Sequence, residues 1–190
     1  MVEKWPSAIK EGDDSGWTPL HVAAHLGNEK FVKLILEEDN SPAYVRNKQG
    51  LSALHIAAKE GNYRVISELM IACPDMYELL DNKGRNALHA ASESGGWAAF
   101  NYFKGKPEFE GLINQQDNDG NTPTNLAAIN GHIYLNCEFG EGSRVALNAT
   151  NKEGFTTMDG ILLKRKLSSR PTVSPFCPAL LNVVVLLHNL

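Results

Sequence analysis

The chain has 190 residues, of which 43% are hydrophobic and 21% are charged, as in an ordinary folded globular protein. Its net charge of -4 argues against a nucleic-acid binder that relies on high overall positive charge. No segment approaches the roughly 20 apolar residues that span a bilayer, and the start lacks the apolar core of a signal peptide. The cysteines, Cys73, Cys137 and Cys177, are too far apart for a disulfide scaffold, so a reduced intracellular compartment is expected.

One short segment recurs along the sequence in a nearly constant register. GWTPLHVAA at residues 16–24 returns as GLSALHIAA at 50–58, GRNALHAAS at 84–92 and GNTPTNLAA at 120–128. A worn fifth copy begins at Gly154, and the leading glycines are separated by 34, 34, 36 and 34 residues. Such self-similarity predicts a chain built from repeated structural units.

Each copy begins with the signals of a turn followed by a short helix. An Asp or Asn lies three residues before each leading glycine, a pattern that favours a β-turn. A helix is then expected, because a residue that caps helix N-termini follows, with proline next to it in two copies. The predicted caps are Thr18, Ser52, Asn86 and Thr122, the prolines are Pro19 and Pro123, and the predicted helix-ending glycines are Gly27, Gly61, Gly95 and Gly131.

A second helix is expected in each copy, with weaker signals toward the C-terminus. Apolar residues at helical spacing predict it over residues 31–36 and 63–70. In the third copy glycines weaken both ends of this helix, and in the fourth Gly140 and Gly142 interrupt the segment around 132–145. Gly160 falls inside the first helix of the fifth copy, so order is expected to fade along the chain.

The repeated Thr-Pro-Leu-His motif resembles the ankyrin repeat, a β-turn followed by a helix–turn–helix at a period near 33. Thr18-Pro19-Leu20-His21 carries the resemblance, with echoes at 52–55 and 86–89. The resemblance implies an all-α ankyrin-repeat solenoid. Residues 13–158 would form about four repeats plus a degenerate fifth, and residues 1–12 would be the remnant of a preceding repeat. Residues 159–190 are predicted to be a disordered linker and apolar tail.

Two segments resemble a narrower family, the plant ankyrin proteins related to accelerated cell death proteins. They are residues 72–84 and 147–159. Members of that family join ankyrin repeats to a C-terminal membrane domain, and many act in plant defence and cell-death control. The resemblance therefore implies a signalling role and a place on the cytoplasmic side of a membrane, although no counterpart of the membrane domain is present in this sequence.

The histidines at 21, 55 and 89 recur every 34 residues and invite comparison with a metal site. The favoured interpretation is structural, with each imidazole bonded within and between the turns, because one metal ion would need ligands about 2 Å away. No Gly-x-Ser-x-Gly and no phosphate-binding loop occurs. We therefore expect a non-catalytic protein without metal or cofactor, and an enzyme built on the histidines is the weaker alternative.

The turn tips and first helices differ between copies, so they are the expected binding surface for a protein partner. In a solenoid they line the concave face. The predicted binding residues are Trp17, His25, Leu26, Leu51, Lys59, Glu60, Lys83, Arg85, Glu93, Asn121 and Ile129. Trp17 could equally pack on its own turn. A nuclear adaptor is the alternative function, since Lys164–Lys166 resembles a nuclear-import signal. Nucleic acid is not an expected partner.

Overall fold

A computed structural model describes residues 9–103, 106, 109–132 and 145–167 of the chain. Its α-helices, in chain order, are α1 Pro19–His25, α2 Glu29–Glu38, α3 Ala53–Glu60, α4 Tyr63–Ala72, α5 Ala87–Ser94, α6 Trp97–Phe103, α7 Glu110–Ile113, α8 Pro123–Asn130 and α9 Thr157–Leu167. Short 3-10 helices cover Ser41–Tyr44 and Pro74–Glu78. None of these helices has the length and apolar surface needed to cross a bilayer.

The helices form two stacked layers. The inner layer contains α1, α3, α5, α8 and α9, each packed against the next, and the outer layer contains α2, α4 and α6. Small alanines at the inner-layer contacts, such as Ala24 and Ala58, are fully buried and allow close helix approach. Larger apolar side chains such as Leu54 and Leu69 fill the space between the layers. Successive repeats thus share one continuous core.

The helix ends follow the sequence prediction. Each of Thr18, Ser52, Asn86 and Thr122 is an N-cap in a capping box with the side chain three residues later. Pro19 and Pro123 occupy the first helical turn. Three of the four predicted terminating glycines are C-caps in the left-handed conformation, and in the first copy Leu26 is the cap and Gly27 follows it with positive φ.

The outer helices lie where the sequence predicts them, but not all of their predicted apolar residues are buried. Val32 and Ile35 of α2 are buried as expected, whereas Leu34 is 47% exposed. In the third repeat α6 has only 7 residues, consistent with its flanking glycines. The predicted fourth outer helix lies mainly in residues 133–144, which are outside the described residues.

The first helix of the fifth copy extends further than the sequence predicted. The expected boundary at residue 158 falls inside α9, which continues to Leu167 and packs on α8. Gly160 does not end this helix. A Cβ at Gly160 would lie 3.0 Å from the Cβ of Ala128, so the glycine permits close packing of α9 on α8. The predicted N-terminal remnant and C-terminal tail lie largely in residues 1–8 and 168–190, outside the described residues.

We expect Ser92→Ala to raise the free energy of unfolding by about 1 kcal/mol, because a buried hydroxyl without a partner carries a desolvation penalty. The Ser92 hydroxyl is buried and has no hydrogen-bond partner among the residues that the structure describes. Ala24, Ala58 and Ala128 occupy the same place in their repeats, so the packing accepts alanine. Urea denaturation would measure the change, and an unchanged or lower stability would contradict this prediction.

Candidate concave binding face

The tips of the turns are built by one repeated side-chain interaction. In the first tip, Oδ1 of Asp13 accepts hydrogen bonds from the backbone N–H groups of Ser15 and Trp17, each at 2.8 Å. Asn47, Asp81, Asp117 and Asn151 make the same pair of bonds in their own tips. The leading glycines have φ between 71° and 81°, a left-handed conformation that glycine adopts without strain.

Adjacent tips are joined by a backbone hydrogen bond. The N–H of Lys48 donates to the carbonyl oxygen of Ser15 at 3.0 Å, and Asn82 donates to Gln49 at 3.1 Å. The equivalent bonds in the later tips are Asn118 to Lys83 at 2.9 Å and Lys152 to Asp119 at 2.9 Å. The tips therefore form a regular row along one edge of the concave face.

The recurring histidines connect neighbouring repeats, as the structural interpretation predicted. Nδ1 of His21 accepts a hydrogen bond from the N–H of Thr18 at 3.1 Å, which leaves Nε2 to donate to the carbonyl oxygen of Leu51 at 3.0 Å. His55 repeats this arrangement with Ser52 and Arg85. His89 uses Asn86 and Asn121. Each imidazole thus connects its own helix cap to the next repeat.

In the fourth and fifth copies, asparagine and aspartate replace the histidine that bonds to the helix cap. Oδ1 of Asn125 accepts from the N–H of Thr122 at 2.9 Å, and its Nδ2 donates to the carbonyl oxygen of Ala149 at 3.4 Å. An asparagine amide therefore supplies the acceptor and the donor that imidazole supplies elsewhere. In the fifth copy the Asp159 carboxylate accepts a hydrogen bond from the N–H of Thr156 and so completes the helix cap. Among the described residues, this carboxylate makes no bond to another repeat.

The buried surroundings keep these imidazoles neutral at physiological pH. Burial lowers the pKa of His21, His55 and His89, in the last case to about 4. Among the described residues, no group of three His, Cys, Asp or Glu side chains is placed to hold a metal ion. Cys73 lies buried after α4, and burial raises the pKa of its thiol, so it packs as a small hydrophobic side chain.

Several predicted binding residues are accessible. Leu26 is 70% exposed and Ile129 is 42% exposed, although both are apolar. His25 pairs with Glu60 at 3.1 Å across two repeats, and both side chains are exposed. Lys59 and Lys83 are also exposed.

Arg85 is different, because it belongs to a partly buried charge cluster. Its Nε donates to Oδ2 of Asp117 at 3.2 Å, and one of its terminal nitrogens donates to both carboxylate oxygens of Glu93 at 3.1 Å. The Arg85 side chain is 12% exposed and that of Asp117 is fully buried. Arg85 thus holds the third and fourth repeats together, a role that its sequence position alone did not reveal.

The structure corrects the prediction at Asn121 and weakens it at Trp17. Asn121 is buried, and its Oδ1 accepts a hydrogen bond from Nδ2 of Asn151 at 2.9 Å, so it connects repeats rather than facing a partner. Trp17 is half-buried and packs on α1, with its ring centroid 6.2 Å from that of His21 and 5.7 Å from that of His25. Leu51 is likewise half-buried against the core.

A groove of about 450 Å³ opens between the second and third tips. Five of the predicted binding residues line it, namely Leu51, Lys59, Lys83, Arg85 and Glu93. Lys48, Gln49, Asp81, Asn82 and Ala90 complete it. Lys48 was not among the predicted binding residues. It lies in the second tip, next to the third tip that carries Lys83, and this position could have indicated it.

Comparison with known proteins agrees with this geometry. A family model described as ankyrin repeats (three copies) matches residues 3–78 and again residues 40–105, which together cover more than half of the chain. A comparison with curated proteins finds no matching relative. Turn tips, capped inner helices and outer helices recur at intervals of 34 to 36 residues, close to the roughly 33-residue period of ankyrin repeats. The chain therefore belongs to the ankyrin-repeat family, and its fold is an all-α solenoid.

Proposed function

We propose that this chain is a non-catalytic interaction module that holds a segment of a protein partner on its concave face. Ankyrin repeats in general suggest protein–protein interaction, which supports the class of function. One observation supports placing the binding surface on the concave face. The side chains that repeat in every copy are buried in the framework, whereas exposed side chains on the inner helices, such as Leu26, Lys59 and Ile129, differ from copy to copy.

The exposed apolar residues of this face support binding rather than folding. Leu26 and Ile129 lie at the ends of inner helices and leave large parts of their side chains in solvent. Exposed apolar side chains that are rimmed by charged groups are typical of protein interfaces. The exposed Glu60 carboxylate, 3.1 Å from Nδ1 of the neighbouring residue His25, provides such a charged group near Leu26.

The variant Leu26→Ser/Ile129→Ser should bind a captured partner at least about thirtyfold more weakly, since truncation of a true anchor costs roughly 2 kcal/mol. The matched control is Leu34→Ser/Ile71→Ser, which alters exposed apolar residues of the outer helices. Isothermal titration with a partner first identified by affinity capture would measure both. Loss of binding in the control, with full affinity in the first variant, would place recognition on the convex face.

We further propose, from the resemblance at residues 72–84 and 147–159, that the partner acts in plant defence or cell-death signalling on the cytoplasmic side of a membrane. The expected result for a fluorescently tagged chain in plant cells is cytoplasmic signal with membrane enrichment. Accumulation in the nucleus that depends on Lys164–Lys166 would instead favour the nuclear adaptor.

A further inference from the structure

The groove between the second and third tips is bordered by lysines that lack acidic partners. Lys48 and Lys83 extend from adjacent tips, and Lys59 lies in the last turn of α3. All three are exposed, and none forms an ion pair with a carboxylate of the described residues. We call these three residues, with Leu51, Arg85 and Ala90 between them, the lysine groove.

The carboxylates that line the same groove are already engaged. The Arg85 guanidinium donates hydrogen bonds to both oxygens of Glu93 and to Oδ2 of Asp117, so it faces two carboxylates. Oδ1 of Asp81 accepts from the backbone N–H groups of Lys83 and Arg85 and is held in its turn. With Lys48, Lys59 and Lys83, the four cations of the groove thus face the three carboxylates of Asp81, Glu93 and Asp117, which leaves a surplus of one positive charge.

The charge pattern along the first four tips places this surplus in the middle of the concave face. The first tip carries Asp14 and the fourth carries Asp119, whereas the second and third carry Lys48 and Lys83. The chain as a whole has a net charge of -4. A positive site on a negative protein selects ligands by local complementarity rather than by overall attraction.

We propose that the lysine groove binds an acidic segment of the partner protein, with Asp or Glu carboxylates placed among Lys48, Lys59 and Lys83. This inference rests on the proposed function and gives the chemistry of its ligand. The half-buried Leu51 and the buried Ala90 provide an apolar floor against which the methylene groups of a glutamate can pack. The exposed Gln49 amide offers a hydrogen bond to a peptide main chain.

The probe is a fluorescent peptide of alternating glutamate and serine, compared with the same peptide carrying glutamine in place of glutamate. Fluorescence anisotropy at low salt should show the glutamate peptide binding at least about tenfold more tightly. The triple variant Lys48→Gln/Lys59→Gln/Lys83→Gln should lose at least about tenfold in affinity for it. Circular dichroism of the variant confirms that its helices are intact.

The matched control is Lys30→Gln/Lys33→Gln/Lys152→Gln, which removes the same charge outside the groove. It should retain the affinity of the unaltered chain. Equal loss in the control, or equal binding of the glutamine peptide, would overturn the proposal. An oligo-uridylate of the same length that binds more tightly and depends on the same lysines would also overturn it, in favour of nucleic acid.

The test separates this inference from the proposed function. If the glutamate peptide fails to bind while the captured partner is still lost in Leu26→Ser/Ile129→Ser, the interaction module stands and the acidic ligand is wrong. If the partner is insensitive to both sets of concave substitutions, the proposed concave face is wrong as well.

Discussion

Arg85→Ala should lower the free energy of unfolding by about 3 kcal/mol, the cost typical of leaving a buried charge without its partner. Without the Arg85 guanidinium, the fully buried Asp117 carboxylate would lose the cation that bonds its Oδ2. Urea denaturation followed by circular dichroism would measure the change. A loss below about 0.5 kcal/mol, normal for a surface substitution, would contradict the assigned role of Arg85.

Two further variants identify the origin of this loss. Adding Asp117→Asn to Arg85→Ala should restore about 1 kcal/mol or more, since a neutral amide costs less to bury than an unpaired carboxylate. Asparagine occurs naturally at this turn position, as Asn47 and Asn151. Glu93→Ala alone should cost less than about 1 kcal/mol, because the Glu93 side chain is 42% exposed and its pairing is screened by solvent.

The protein should become less stable as the pH falls from 7 to about 4.5. Burial lowers the pKa of His89 to about 4, whereas a histidine in an unfolded chain has a pKa near 6.5. Below pH 6.5 the unfolded chain therefore takes up the proton first, and the stabilisation that the neutral imidazole provides above that pH is progressively lost. His89 alone should contribute about 2 kcal/mol to this loss, and His21 and His55 act in the same direction.

A reciprocal exchange of side chains tests this assignment. His55→Asn reproduces beside Ser52 the pairing of Asn125 with Thr122, so it should fold and show a shallower dependence of stability on pH. Asn125→His should do the opposite, by adding a buried titratable group. Urea denaturation at pH 7 and pH 4.5 would measure both. The assignment fails if neither exchange alters the difference between the two pH values.

The repeat architecture was largely predictable because the same local signals occur several times in register. A single Asp-x-x-Gly turn or a single capping residue is weak evidence, but the return of both at intervals of 34 to 36 residues identifies the turn and the helix cap. The caps at Thr18, Ser52, Asn86 and Thr122 were therefore placed correctly. The sequence did not predict how far α9 extends, because a glycine such as Gly160 normally weakens a helix. Here Gly160 allows close packing on Ala128, and that contact depends on the neighbouring helix rather than on the local sequence.

The concave face was predictable as a region but less so residue by residue. Leu26 and Lys59 are exposed there as expected. Arg85 and Asn121, in contrast, are engaged by the first residue of the following turn, Asp117 and Asn151 respectively. Their partners are about one full repeat away, so the local sequence gives no sign of them.

The backbone bonds between tips bear on how such a chain tolerates changes in length. The third interval is two residues longer than the others, yet its tip makes the same bond, from Asn118 to Lys83, as the shorter repeats. Gly61 and Gly95 both lie 11 residues after their leading glycines, so the added residues fall between Gly95 and Asp117. A repeat can thus accommodate two additional residues between the end of its first helix and the next turn while the bond between tips is preserved.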